Sequence, residues 1–175
     1  MIIKLIIFIT VSIVVVAYSW NCLRNPRTHG FYRFFAFEAI LVLILLNIDY
    51  WIKNPFSMLQ IISWICLIYS LFLVFQGFIL LRAAGKPEGN FENTTELVAQ
   101  GIYKYIRHPL YGSLLFLAWG AFFKNVTLPT IMLVLIATVS LILTAKVEEQ
   151  ECVDKFGNSY AAYIKQTKMF VPFVF

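Results

Sequence analysis

The chain has 175 residues, of which 61% are hydrophobic and only 13% charged; soluble domains carry about a quarter charged residues. Polar side chains this scarce cannot coat a water-facing surface, so a soluble globular protein is excluded, and the mean hydropathy of +0.80 indicates an integral membrane protein. The net charge of +5 is not a nucleic-acid signature, because the cations are spread over the connections between apolar runs rather than gathered on one face.

Apolar runs of about 20 residues can cross a ~30 Å hydrocarbon layer as helices. The first covers 2–20, beginning at Ile2 behind Met1, and the second 34–52. A signal peptide is the competing reading of the first, but "AYS" is a poor cleavage site. A third run covers 58–81, and two more follow at 110–123 and 128–145, joined by the turn "KNVTLP" in which Asn125 and Pro129 supply the break. The fourth run has 14 residues, about 21 Å of helix, so it leans on the preceding segment or stops short of crossing. The expectation is a single domain over 1–175, an all-α polytopic bundle of about five spans with a C-terminal helical hairpin and a cytosolic helical tail. The soluble-looking stretch 82–107 reads as a loop with one short helix from Thr95.

Lysine and arginine are distributed unevenly. Eleven fall in 21–33, 82–109 and 146–175, against Lys4, Lys53 and Lys124 on the other connections. The positive-inside rule puts the rich side in the cytoplasm and the N-terminus outside. Cys22, Cys66 and Cys152 are odd in number and scattered, so they are expected as free thiols, with neither a disulfide framework nor a metal site.

The chemistry concentrates at the mouth of the last hairpin. Val126, near its tip, lies 18 residues after His108 and 22 before Glu148. Two antiparallel arms of such similar length return their ends to nearly one depth, the mismatch being only about 6 Å of helix rise. Arg107-His108 and Glu148-Glu149 are therefore expected as neighbours. Pro109 is tolerated in the first turn of a helix, which sets the preceding residues at an N-terminus whose dipole and N–H groups favour an anion. Arg107 adds a planar fork of donors suited to a carboxylate, and Tyr111 and Gly112 add a hydroxyl and a close backbone approach. The competing reading makes Arg107 and His108 a basic membrane anchor and Glu148 to Glu151 a solvated helix end. Beyond them Glu149, Val153, Phe156, Tyr160 and Tyr163 recur at helical spacing. Gly157 ends that helix, Asn158 or Ser159 caps the next, and "KMFVPFVF" reads as an interfacial anchor.

"GIYKYIRHPLYGSLL" and, after the hairpin, "EEQECVDKFGNSYAAYIKQTKMFVPF" together resemble the membrane methyltransferases related to isoprenylcysteine carboxyl methyltransferase and phosphatidylethanolamine N-methyltransferase. The resemblance covers about 82–175 and rests on Gly101, Tyr103, Arg107, His108, Pro109, Tyr111, Glu148, Glu149, Phe156, Gly157, Tyr160, Tyr163 and Pro172 in order. It implies S-adenosylmethionine as methyl donor. It also implies a cytosolic cofactor region made of 82–109 and 146–175, and a lipid-like or prenylated acceptor entering from the bilayer. His108, Pro109 and Tyr111 are implied to line the cofactor pocket, with Gly101, Tyr103, Phe156, Tyr160 and Tyr163 around it. Glu148 or Glu149 is implied to hold the cofactor's polar groups. Arg107 is implied to lie near the acceptor, which Glu38 can also reach. Carboxyl O-methylation is the expected reaction, with Arg107 and Glu149 as its catalytic residues. Phospholipid amine N-methylation, which would give Glu148 or Glu149 a base role, an NADPH-dependent membrane reductase and a non-enzymatic membrane protein are the alternatives. One departure concerns the third span, where some phospholipid methyltransferases carry a Gly-x-Gly pair and this chain has only Gly77.

Overall fold

The computed structural model describes residues 2–86 and 94–172. Six α-helices make up the described chain: α1 (Ile2–Leu23), α2 (His29–Asn47), α3 (Met58–Ala84), α4 (Pro109–Phe122), α5 (Leu128–Phe156) and α6 (Asn158–Gln166), with 3-10 turns at Ile48–Tyr50 and Gly101–Lys104. Helices α1, α2 with its 3-10 extension, α3 and α5 are long and apolar enough to cross a membrane, so the protein is an integral membrane protein. The fourth apolar arm forms α4 and keeps its 14 residues. At about 21 Å it is shorter than a hydrocarbon layer of about 30 Å.

Several boundaries differ from the sequence reading, each for a local reason. Helix α2 starts at His29 rather than at 34, because Thr28, extended in the turn that follows Pro26, already marks its start. Arg33, counted above among the loop cations, therefore lies inside α2, buried against the rings of Tyr18 and Phe37. No helix begins at Thr95. Its N–H donates to Gly85 O and its hydroxyl to Lys86 O, which folds the segment back on the end of α3. Pro129 sits in the first turn of α5, where a missing N–H costs nothing. That helix continues unbroken past 145 to Phe156, so residues 146–156 of the expected tail are its extension. Gly157 ends it with φ +59° and itself occupies the N-cap of α6, with no side-chain cap from Asn158 or Ser159.

The chain forms two compact units, Met1–Ile68 with Leu115–Glu148 and Tyr69–Leu114 with Glu149–Phe175, and the division falls within α3, α4 and α5. In the first unit, polar side chains are spent on helix ends. The last carbonyls of a helix lack intrahelical partners, and in an apolar setting each is costly to leave bare. Here Ser63 Oγ donates to Gly120 O at 2.6 Å, Asn47 Nδ2 to Ala121 O at 2.8 Å, and Gln60 Nε2 to Lys124 O at 3.3 Å. The Lys124 ammonium is buried, donates to Gln60 Oε1 at 3.0 Å and Trp51 O at 3.3 Å, and lies 3.7 Å from the Trp64 ring centroid. Burial pushes its pKa below the usual lysine range. Gly120 lets α3 and α4 approach here, since a Cβ would come within 2.8 Å of Leu67 Cγ. Asp49, in the 3-10 turn after α2, pairs with Lys4 of α1 at 2.5 Å.

The second unit is held by glycine contacts and by its C-terminal segment. A Cβ on Gly77 would come within 3.1 Å of Pro109 Cγ, so this glycine of α3 seats the first turn of α4. Gly101, at φ +58°, has no room for a side chain, because a Cβ would come within 2.5 Å of Leu80 Cδ1. Residues 167–170 run as a strap along 105–108: Lys168 N donates to Tyr105 O, Arg107 N to Lys168 O and His108 N to Met169 O. Phe170, expected as part of a membrane anchor, is instead fully buried, and Met169 nearly so. Phe173 and Phe175, assigned to the same anchor, lie outside the described residues.

Candidate active site

Pro109 stops the chain from helix formation before it and starts α4 after it, so Arg107 and His108 leave the loop side by side at the N-terminus of α4. Glu149 reaches them from α5, forty-odd residues later in sequence. Arg107 Nε donates to Glu149 Oε1 at 2.6 Å, and His108 Nε2 lies 3.3 Å from the same oxygen. The ion pair is largely shielded, with the arginine and glutamate side chains 8% and 15% exposed. A charge pair so shielded is retained only where further hydrogen bonds satisfy it. Arg107 Nη1 meets that need by donating to Ile164 O at 3.2 Å and to Thr167 O at 2.5 Å.

What the cluster leaves over is as informative as what it uses. Among the described residues Arg107 Nη2 donates no hydrogen bond and Glu149 Oε2 accepts none. One donor of positive charge and one acceptor of negative charge thus remain uncommitted in one cluster.

The remaining expected residues divide into two groups. Around the cluster, the Tyr111 ring stacks on His108 at 5.6 Å and the Phe170 ring meets it edge-on at 6.3 Å. Phe156 stacks on Tyr160 at 6.5 Å, and Tyr160 meets Tyr163 at 5.6 Å. Of these aromatics only Phe156 is half-exposed; Tyr111, Tyr160 and Tyr163 are buried. The hydroxyl of Tyr163 donates to Tyr103 O at 2.6 Å, and that of Tyr103 to Gly77 O at 3.3 Å, so both tyrosines tie α6 and the 3-10 turn to α3. Burial pushes the Tyr163 pKa well above the ordinary range. Gly101 and Pro109 likewise have packing reasons to be where they are.

Two expected residues belong to the first unit. Glu148 is half-buried and leaves α5 about 100° around from Glu149. Glu38 accepts a hydrogen bond from Ser12 Oγ at 2.8 Å, which ties α2 to α1. Sequence reasoning missed Ile164, Thr167 and Phe170. The first acts through its carbonyl, which no side-chain pattern reveals, and "TKMF" reads as readily as a membrane anchor as it does as a strap. Among the described residues no three His, Cys, Asp or Glu side chains are gathered as a metal ion would require.

Comparison with known proteins gives the family of the chain. Residues 58–159, more than half of the chain, match the sequence model described as "Phospholipid methyltransferase". Similar curated proteins include methanethiol S-methyltransferase of Pseudomonas deceptionensis, 29% identical over 59% of this chain and 37% of that protein. Another is methanethiol S-methyltransferase 1 of Bradyrhizobium diazoefficiens, 21% identical over 85% of this chain and 55% of that protein. A third is methanethiol S-methyltransferase of Crocosphaera subtropica, 25% identical over 68% of this chain and 47% of that protein. The chain thus spans about half or less of the length of the relatives it matches. The family match contains α4, α5, Arg107, His108 and Glu149 together, and on it the chain belongs to the phospholipid methyltransferase family.

Proposed function

We propose that this chain is an S-adenosylmethionine-dependent membrane methyltransferase. The observation that carries the reading is the uncommitted pair, Arg107 Nη2 and Glu149 Oε2, in a shielded cluster. The amino-acid part of S-adenosylmethionine is a zwitterion, so the residues present fit it: the guanidinium takes the carboxylate and Glu149 takes the ammonium. The half-exposed Phe156 ring offers a face for the adenine. When bound, the cofactor supplies a methyl group on a positively charged sulfur. Holding that carbon in line with the acceptor is then the main task of the protein.

For the acceptor, the motif resemblance favours a carboxylate, and the activity for which the relatives are named favours a thiol. The thiol is the better supported, because Arg107 has one nitrogen to spare and no intact fork for a second carboxylate. A thiol of ordinary pKa, about 8.5, is mostly protonated at neutral pH. In this reading His108, backed by Glu149, would take its proton, and the bound cofactor would supply the methyl group to the thiol sulfur.

Calorimetric titration of the purified protein in lipid nanodiscs tests the cofactor. S-adenosylhomocysteine is expected to bind and NADPH to give no heat; the reverse pattern, or no binding of either, rejects the proposal. Methyl-labelled donor offered with methanethiol, a prenylated cysteine and phosphatidylethanolamine in turn then tests the acceptor, and label on the thiol is expected. The site is further proposed to face the cytoplasm. Without the buried Arg33, ten cations still stand on that side against three. A cysteine introduced at Lys168 should therefore resist membrane-impermeant thiol reagents in intact cells; ready labelling reverses the assignment.

A further inference from the structure

A loop of arginine and histidine before a helix has no intrinsic reason to hold both side chains toward one carboxylate. Here the strap 167–170 constrains it from three directions. The main-chain N–H groups of Arg107 and His108 donate to Lys168 O at 2.8 Å and Met169 O at 3.2 Å. In return Lys168 N donates to Tyr105 O at 3.0 Å, so the two segments are locked in register. The Arg107 side chain donates to Thr167 O, and the Thr167 hydroxyl closes the turn by donating to Tyr163 O at 2.7 Å. Phe170 then seals the end. Its ring is fully buried and edge-on to His108, and its backbone passes the first turn of α4 where Gly112 offers no side chain.

These bonds also correct the expectation that the N–H groups just before α4 are free for an anion. Those of Arg107 and His108 are taken by strap carbonyls. The positive charge at this corner is therefore presented by the guanidinium, whose direction depends on the strap.

We propose that the strap sets the orientation of Arg107 and His108, with Thr167 and Phe170 as positioning residues, so that strap docking and cofactor binding are one coupled equilibrium. The inference rests on the methyltransferase reading above and names what controls that site. Coupling is reciprocal: a ligand that uses Arg107 and Glu149 tightens the strap, and a loosened strap weakens the ligand. No covalent step is involved.

The test uses the full chain in nanodiscs and two independent readouts. Hydrogen exchange of the segment 105–112 reports docking without any ligand, and titration with S-adenosylhomocysteine reports the site. Phe170→Ala is expected to speed exchange in that segment and weaken binding at least tenfold, while the melting of the membrane helices stays near the parent. Phe170→Leu should keep both readouts within about threefold. Thr167→Val should weaken binding and Thr167→Ser should restore it, a rescue that a mere loss of bulk would not show. S-adenosylhomocysteine should slow exchange in 105–112 of the parent. Fast exchange with unchanged affinity in Phe170→Ala, or exchange that does not respond to either substitution, overturns the proposal. If Phe170→Ala fails to fold, the threonine pair decides: equal affinity in Val and Ser variants overturns it. A parent with slow exchange but no affinity for S-adenosylhomocysteine defeats the methyltransferase reading, and the strap's role in it, while still recording a docked strap.

Discussion

The two units of this chain bury polar groups for different purposes. In the first, Asn47, Ser63, Gln60 and Lys124 are matched to backbone carbonyls and to one another. Asn47 and Ser63 answer a need created by a helix that ends after 14 residues. In the second, Arg107 and Glu149 are bonded on one side and uncommitted on the other. The donors of the first unit solve a folding problem, because an apolar environment makes a bare carbonyl expensive, even though Asn47 Oδ1 is itself buried without a partner. Arg107 Nη2 and Glu149 Oε2 make no hydrogen bond within the described residues, yet neither is a buried atom left without a partner, so both are open to solvent and to a ligand that completes them. The comparison separates stability from chemistry within a single small protein.

Two substitutions put that separation at risk. The largest effect is expected from Glu149→Ala, which removes the shared partner of Arg107 and His108. Stranding a shielded charge costs about 3–5 kcal/mol, and S-adenosylhomocysteine binding should fall at least a hundredfold, read by titration alongside a thermal melt. Parent-like binding in a folded Glu149→Ala protein would erase the distinction between the units. A smaller effect is expected from Asn47→Leu. Losing the bond to Ala121 O should cost about 1–3 kcal/mol of stability, seen as a lowered melting temperature, with affinity for S-adenosylhomocysteine unchanged at temperatures below the melt. If affinity fell in step with stability, the polar cluster of the first unit would also serve the site.

Much was legible in the sequence because membranes restrict what a chain can do. A hydrocarbon layer requires the backbone to satisfy itself, so runs such as 58–81 announce helices through composition alone. Arg107 and His108 meet Glu149 for a similar reason: arms of similar length around a turn must return together. Side chains whose position follows from helix rise were readable; those set by the path of an irregular segment were not. Arg33 was misplaced because a helix start depends on the turn before it, and Thr95 because its bonds to Gly85 and Lys86 compete with helix formation.

By itself, then, the sequence determined a membrane helical protein with a basic corner and an acidic one at the mouth of its last hairpin, since apolar length and helix rise are local properties that add up along the chain. Only the tertiary structure decided which atoms of Arg107 and Glu149 stay uncommitted, and that residues 167–170 form a strap rather than an anchor. Those outcomes depend on main-chain hydrogen bonds between segments sixty residues apart. No pattern of residue types encodes such pairings, because every residue except proline offers the same N–H and every residue the same carbonyl.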